Sequence, residues 1–294
     1  MQNPFNVRIL RITTFLLFIG RAWEHIYWEG PFRNFFYNPH GFGKVLEWLT
    51  GSTLQDIYRD HFYEYLIDNI SIGIGIIYAL SGAAALFYSP SRRVLKWIIC
   101  LGVFCLALTF YGFFVDKHYL YGTLLEYSAQ FVTPIIFLWF CNGHGAGKAL
   151  IVSKIAIAIT FIYHGLFAIG YYPQPGNFTD MLIIGFGIQE DMARAALTDI
   201  AWMDFLFAGI VLIPFNFLYR KEVLSKVLKV IFITLLSYAV FWGFMTSIAR
   251  FYVHFDSQFI WQSFEGFFHE FLVRLPHGVF PMIILIEFLR KKNA

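Results

Sequence analysis

Apolar stretches of about 20 residues, the length a helix needs to cross the hydrocarbon of a bilayer, recur down this chain between short polar or aromatic connections. Eight can be marked, at roughly 5–28, 64–88, 94–115, 122–141, 150–170, 198–218, 227–250 and 270–289. The pattern predicts an all-α polytopic membrane protein with about eight transmembrane helices. Basic residues fall on alternate connections. Arg8 and Arg11 precede the first span, and Arg92, Arg93 and Lys96 join the second to the third. Lys148 and Lys154 lie between four and five, Arg220, Lys221, Lys226 and Lys229 between six and seven, and Arg290, Lys291 and Lys292 after eight. The other connections hold only Arg33, Lys44, Arg59, Lys117 and Arg194, with Arg250 at an edge. The positive-inside rule then puts both termini in the cytoplasm, and only an even number of spans keeps the alternation.

The chain also repeats itself. Arg11-Ile-Thr-Thr-Phe-Leu-Leu-Phe-Ile-Gly-Arg21 runs against Lys154-Ile-Ala-Ile-Ala-Ile-Thr-Phe-Ile-Tyr-His164, which sets Arg21 opposite His164. Gly41-Phe-Gly43 recurs as Gly185-Phe-Gly187, and Phe110-Tyr-Gly-Phe113 as Phe241-Trp-Gly-Phe244. Gln130-Phe-Val-Thr-Pro134 recurs as His277-Gly-Val-Phe-Pro281. Four matches in one order predict two tandem four-helix bundles, 1–147 and 148–294, entering the membrane in the same sense.

Composition agrees with a membrane setting and narrows the chemistry. Of 294 residues 58% are hydrophobic, 36 are Phe and 14% are charged, against about a quarter charged in soluble domains. A net charge of +3 spread over short loops leaves no nucleic-acid module. Cys100, Cys105 and Cys141 form no Cys-x-x-Cys, so they read as buried apolar residues, not a dithiol or thiolate metal site. Arg8 and Arg11 before an apolar run resemble a signal peptide, but no small-residue cleavage site follows and Arg21 interrupts; a retained first helix is expected.

Within the spans, ionisable residues cluster toward one side. Arg21, Glu24, His25 and Trp28 are spaced i, i+3, i+4, i+7 and would form one helical stripe. Arg21 and His164 each lie ten residues beyond a basic marker, about 15 Å into a helix and near mid-bilayer. Asp68 and Asn69 open the second span, Glu126 and Gln130 the fourth, and Asp199 and Asp204 the sixth. Glu270, Arg274 and His277 make an i, i+4, i+7 stripe in the eighth. Membrane-buried ionisable groups are costly, so Arg21, Glu24, His25, His164 and His277 are candidate reactive groups. Asp68, Asn69, Glu126, Gln130, Asp204, Glu270 and Arg274 are candidate ligand-binding groups. Pro134 and Pro281 deprive the carbonyls of Gln130 and His277 of their helical donors, which predicts a kink beside each polar side chain. Equally, either Arg21–Glu24 or Arg21–Asp68, and Glu270–Arg274, would serve as ion pairs locking helices together, and Asp199, Arg250 and His269 read as interface residues. The tryptophans read as belt or packing residues. No His-x-x-x-His or Glu-x-x-His occurs, so no metal is expected, nor do the residues suggest flavin or haem.

The connections 29–63 and 171–197 are rich in aromatic residues, Gly and Pro, and predict short interfacial helices or re-entrant turns. Gly-Phe-Gly in both lacks the Lys-Ser/Thr of a phosphate loop and reads as a shared turn.

Ile159-Thr-Phe-Ile-Tyr-His164-Gly165-Leu166 followed by a Gly/Pro-rich loop, with the span from Asp199 to Pro214, resembles the DoxX-like family of four-helix bacterial membrane proteins. A Lys frequent in that family three residues after the Gly is Ala168 here, and the first half has Arg21-Ala-Trp-Glu-His25 in place of His-Gly. The resemblance implies a bacterial inner-membrane location. Because the family includes subunits linked to thiosulfate–quinone oxidoreduction, it also implies a quinone- or lipid-facing redox subunit with membrane or periplasmic partners. A proton-conducting or small-molecule transporter and an accessory subunit of an envelope complex are the other two readings. Fold transfers along such a resemblance more readily than function.

Overall fold

A computed structural model describes residues 4–143, 145–220 and 222–292. Among them all regular structure is helical. Helix α1 (Pro4–Tyr27) leads into three short helices, α2 (Phe32–Phe36), α3 (Phe42–Thr50) and α4 (Leu54–Arg59), and then into α5 (His61–Phe87) and α6 (Arg93–Asp116). A broken segment follows, α7 (Tyr121–Glu126) and α8 (Ser128–Cys141), and then α9 (Ala146–Ala168). Next come short α10 (Gly176–Phe186), long α11 (Glu190–Val211), single-turn α12 (Phe215–Leu218) and long α13 (Val223–Tyr252). The chain closes with a second broken segment, α14 (Ile260–Arg274) and α15 (Pro276–Lys292).

Six segments are long and apolar enough to cross a membrane: His61–Phe87, Arg93–Asp116, Tyr121–Cys141, Gly147–Ala168, Val223–Tyr252 and Ile260–Arg290. This is a membrane-embedded protein. Exposed Trp97, Phe104, Val223, Val230 and Phe241 would be an aggregation hazard in water and are ordinary in lipid. Helices α1 and α11 have 24 and 22 residues, but Arg8, Arg11, Arg21 and Glu24 in one and five charged side chains from Glu190 to Asp204 in the other leave no equally apolar window.

Helix boundaries differ from expectation in instructive ways. The sixth segment begins at Glu190, not near 198, because Glu190 and Asp191 in its first turn favour the positive helix end; it stops at Val211 ahead of Pro214. The prolines at 134 and 281 sit inside α8 and α15 without ending them, and the breaks come earlier, at Tyr127 and Leu275. Pro276 suits the first position of a helix, where its missing N–H costs nothing. The start of α8 is held from outside, Ala129 N–H donating to Thr160 Oγ1 of α9 at 3.0 Å. The expected short helices are α2, α3, α4 and α10. Gly-Phe-Gly, however, is not one shared turn. Gly41 precedes α3, whereas Gly187 ends α10 in the left-handed region, φ +66°.

Helix α1 packs on α5, α8 and α14, and α5 on α6; α9 packs on α11, α15 and α8, and α13 on α11, α14 and α15. One apolar core runs through all of them, including Leu10, Leu17, Phe18, Phe137, Phe161, Phe207, Phe280 and Phe288. Polar contacts tie the helix ends together. Arg11 donates to the carbonyls of Leu86 and Tyr88 at 3.0 Å, and Lys154 Nζ to that of Ile213 at 2.7 Å. Asn6 bonds Glu287, so the start of α1 and the end of α15 share one end of the bundle.

The tightest approach lets α13 meet α15. A Cβ at Gly243 would stand 2.5 Å from Gly278 N and 2.6 Å from His277 O, both backbone atoms. Gly243→Ala should therefore cost about 1–3 kcal/mol, as overpacking does. Thermal or SDS unfolding of the detergent-solubilised variant measures it, and an unchanged midpoint would mean the two helices are not this close.

Candidate functional site

At the end of the bundle opposite Asn6 and Glu287, a cavity of about 610 Å³ opens between α1, α6, α7, α8, α13 and α14, bordered by Pro173, Gln174 and Pro175 and the start of α10. Six of the residues predicted from sequence line it: Arg21, Glu24, Glu126, Gln130, Glu270 and Arg274. They come from segments far apart in sequence. Phe113, Tyr127, Phe167 and Phe178 supply aromatic walls.

Arg21 is the best-anchored group. It sits on the buried stripe Leu10, Leu17, Arg21, His25 of α1 and is 2% exposed. Its Nη1 donates to Glu24 Oε2 and its Nη2 to Gln130 Oε1, both at 2.6 Å. Phe110, Phe113 and Tyr127 surround the guanidinium, centroids 5.1–5.4 Å away, adding cation–π attraction. Gln130 is the side chain expected beside a proline kink; what fixes it is this bond, with the helix break a turn earlier aiming it inward.

Across the cavity, Arg250 Nη1 donates to Glu270 Oε2 at 3.0 Å, and Phe178 lies 5.7 Å from the guanidinium. The predicted pairing Glu270–Arg274 is therefore replaced by Glu270–Arg250, and Arg21–Glu24 forms where Arg21–Asp68 does not. Arg250 is 4% exposed and no surface residue. Two signals pointed to it: the stripe Gly243, Ser247, Arg250 on the buried face of α13, and that helix's 30-residue length, which makes nearness to its end a poor guide to depth. His269, read from sequence as an interface residue, lines the cavity instead, and Tyr127, which the sequence did not single out, lines it too. Glu126 and Arg274 make no side-chain hydrogen bond or ion pair among the described residues.

Three predicted residues lie elsewhere. His25 is one residue, about 100°, round the helix from Glu24 and turns into the α1–α5–α6 junction. Its Nδ1 meets Arg21 O at 2.9 Å, and a carbonyl only accepts, so Nδ1 carries the proton. Nε2 then accepts from Thr109 Oγ1 at 3.0 Å, and Thr109 Oγ1 accepts from the Tyr78 hydroxyl at 2.8 Å. This closed chain makes His25 a neutral structural link. Asp68 pairs with Arg33 at 3.3 Å away from the cavity, in a cluster with Glu29 and Glu64. Hydrogen bonds to Glu29 first, then to Glu64, raise the Arg33 pKa above its ordinary value. Asn69 is exposed, about 200° from Ile67 on the buried face of α5.

The remaining predicted residues form a neighbouring chamber of about 40 Å³ lined by His164, Asp204, Trp242 and Thr246, with Phe178, Arg250 and Arg274 common to both spaces. His277 is buried behind it, its ring stacked on that of His164 at 5.1 Å and 14°. So Arg21 meets Gln130 in one half, and His164 meets His277 in the other, the same four positions that the sequence aligns.

No group of metal-ligating side chains occurs among the described residues. Comparison of the chain with protein-family models, curated proteins and solved structures finds no match. Fold and composition define an all-helical membrane protein, and its chemistry must be argued from these side chains.

Removing Arg21 alone strands the Glu24 carboxylate in a largely buried setting, a loss of about 3–5 kcal/mol for fully buried pairs. Arg21→Gln should lower the unfolding midpoint strongly, and Arg21→Gln with Glu24→Gln should recover much of it. A double variant no more stable than the single one would show that Gln130 and the aromatic cage, not Glu24, dominate.

Proposed function

We propose that the protein is a DoxX-like inner-membrane protein of two tandem four-helix repeats, with α1 and α11 as its seventh and eighth spans and both termini cytoplasmic. Its cavity binds the polar head of a membrane amphiphile, a quinone first and a lipid headgroup second, as a redox-linked subunit. Two correspondences support the repeat: Arg11 and Lys154 each cap the end of the following long helix, and Arg21·Gln130 matches His164·His277.

One observation carries the binding reading. A cavity of about 610 Å³ presents Arg274 and Glu126 among aromatic walls, neither side chain making a direct hydrogen bond or ion pair among the described residues. Pockets of roughly 300–1,000 Å³ suit small molecules, and an aromatic wall with a few fixed donors suits a flat ring bearing carbonyl oxygens. Arg21, already held by Glu24 and Gln130, supplies a fixed positive charge beside it. The accessory-subunit reading draws on a different observation. Arg21, Arg250 and His25 are all spent on internal partners, as side chains that serve as glue would be.

Purified protein in nanodiscs, titrated with a short-chain quinone and followed by tryptophan quenching, separates the two. Arg274→Ala should raise Kd about ten- to a hundredfold, the worth of one hydrogen bond to a charged donor. Asn69→Ala should leave it unchanged. A flat titration, with no quinone or specifically retained lipid in organic extracts of protein from native membranes, would favour the accessory role.

A further inference from the structure

The chamber beside the main cavity holds groups that no packing argument explains. Asp204 lies on the stripe Leu197, Ala201, Asp204, Ala208, Val211, the buried face of α11, where every other member is apolar. It is 2% exposed, it lines the chamber, and neither carboxyl oxygen has a hydrogen-bond or ion-pair partner among the described residues; Oδ1 is fully enclosed. His164 Nε2, on the chamber wall from α9, is likewise enclosed and unpartnered. From α13, Tyr238 brings a third unpartnered buried polar atom within electrostatic reach of Asp204, and Thr246, whose hydroxyl donates to the Trp242 and Gly243 carbonyls, lines the chamber. Native interiors seldom leave so many polar atoms idle together unless water or a ligand meets them.

We propose that this chamber is a water-filled proton-binding site, in which the Asp204 carboxyl holds an exchangeable proton and His164 passes it to the main cavity. The volume of about 40 Å³ holds two or three waters at about 10–15 Å³ each. Charge selects a proton over a metal cation. Arg250 of α13 and Arg274 of α14 both line the chamber and repel an added metal cation, whereas moving a proton from Asp204 to His164 leaves the chamber's net charge unchanged; among the described residues the walls offer no ring of oxygen ligands. Burying an ionised carboxylate without a donor is far costlier than burying the neutral acid. His164 lines the chamber together with Phe178, Arg250 and Arg274, the three residues that the chamber shares with the main cavity. The imidazole of His277 stacked on it donates its Nδ1–H to Arg274 O at 2.7 Å. In the transfer the Asp204 O–H bond breaks, a chamber water relays the proton, and an N–H bond forms at His164 Nε2. Carboxylic acid and imidazole become carboxylate and imidazolium, with no change of oxidation state; return of the proton reverses it. The site does not depend on what the larger cavity binds.

Infrared spectroscopy of the whole protein in lipid tests this without any added ligand. Among the described residues Asp204 is the one buried aspartate. Isotope-labelled aspartate should therefore shift a carboxylic C=O band that moves again on transfer to D₂O. Asp204→Asn should abolish the band, and His164→Leu should keep it while slowing its exchange. Should Asp204→Asn fail to fold, the isotope shift in the wild-type protein still makes the assignment. Absence of any aspartate C=O band, a band indifferent to D₂O, or exchange unaltered by His164→Leu would overturn the proposal.

Discussion

The structure turns on the cost of keeping a guanidinium out of water. Arg21 is essentially inaccessible, in the interior of an all-helical bundle. A charge in that position must be matched by charge and hydrogen bonds or it unfolds its surroundings. Glu24, Gln130 and three aromatic rings meet the demand, and each comes from where the fold can supply it. Glu24 stands one turn along the same helix. Gln130 requires α8 to pack beside α1, and Phe110 and Phe113 require α6 to close the third side. Satisfying one side chain thus fixes three helices, and the space left beside them is the cavity.

A second arginine solves the same problem differently. Arg250 is matched by Glu270 across the α13–α14 contact, and Gly243 and Gly278 bring α15 equally close to α13. The two ion pairs face each other over the cavity, one from each half of the chain. Between them Glu126 and Arg274 lie within electrostatic reach of each other but form no direct ion pair or side-chain hydrogen bond among the described residues. A site that were only glue would have had the simpler option of pairing these two. The breaks at Tyr127 and Leu275 place both residues on helix ends, where a ligand can reach them.

The histidines divide by environment, not by residue type. His25 is saturated: one nitrogen faces a carbonyl, the other a hydroxyl, and a tyrosine completes the chain. His164 has an enclosed nitrogen and shares a chamber with the Asp204 carboxyl, both without a hydrogen-bond partner among the described residues. The first arrangement locks three helices; the second is what chemistry with protons needs.

Read from residues alone, the chain determined that it is helical and membrane-embedded, where nearly all the long helices run, and that its charged side chains gather at one end. Those are properties of local composition and period, which an apolar solvent enforces directly. Six cavity-lining residues were legible for the same reason: a charge deep in an apolar span is anomalous wherever it is found. Direction was not legible. One step round a helix sends Glu24 into the cavity and His25 into the packing, and two steps take Asn69 off the buried face of α5. The partners of Arg21 and Glu270, the break preceding each proline, and the burial of Arg250 depend on which helix lies alongside. Only tertiary structure decided them, because the energy of a buried charge is set by neighbours distant in sequence.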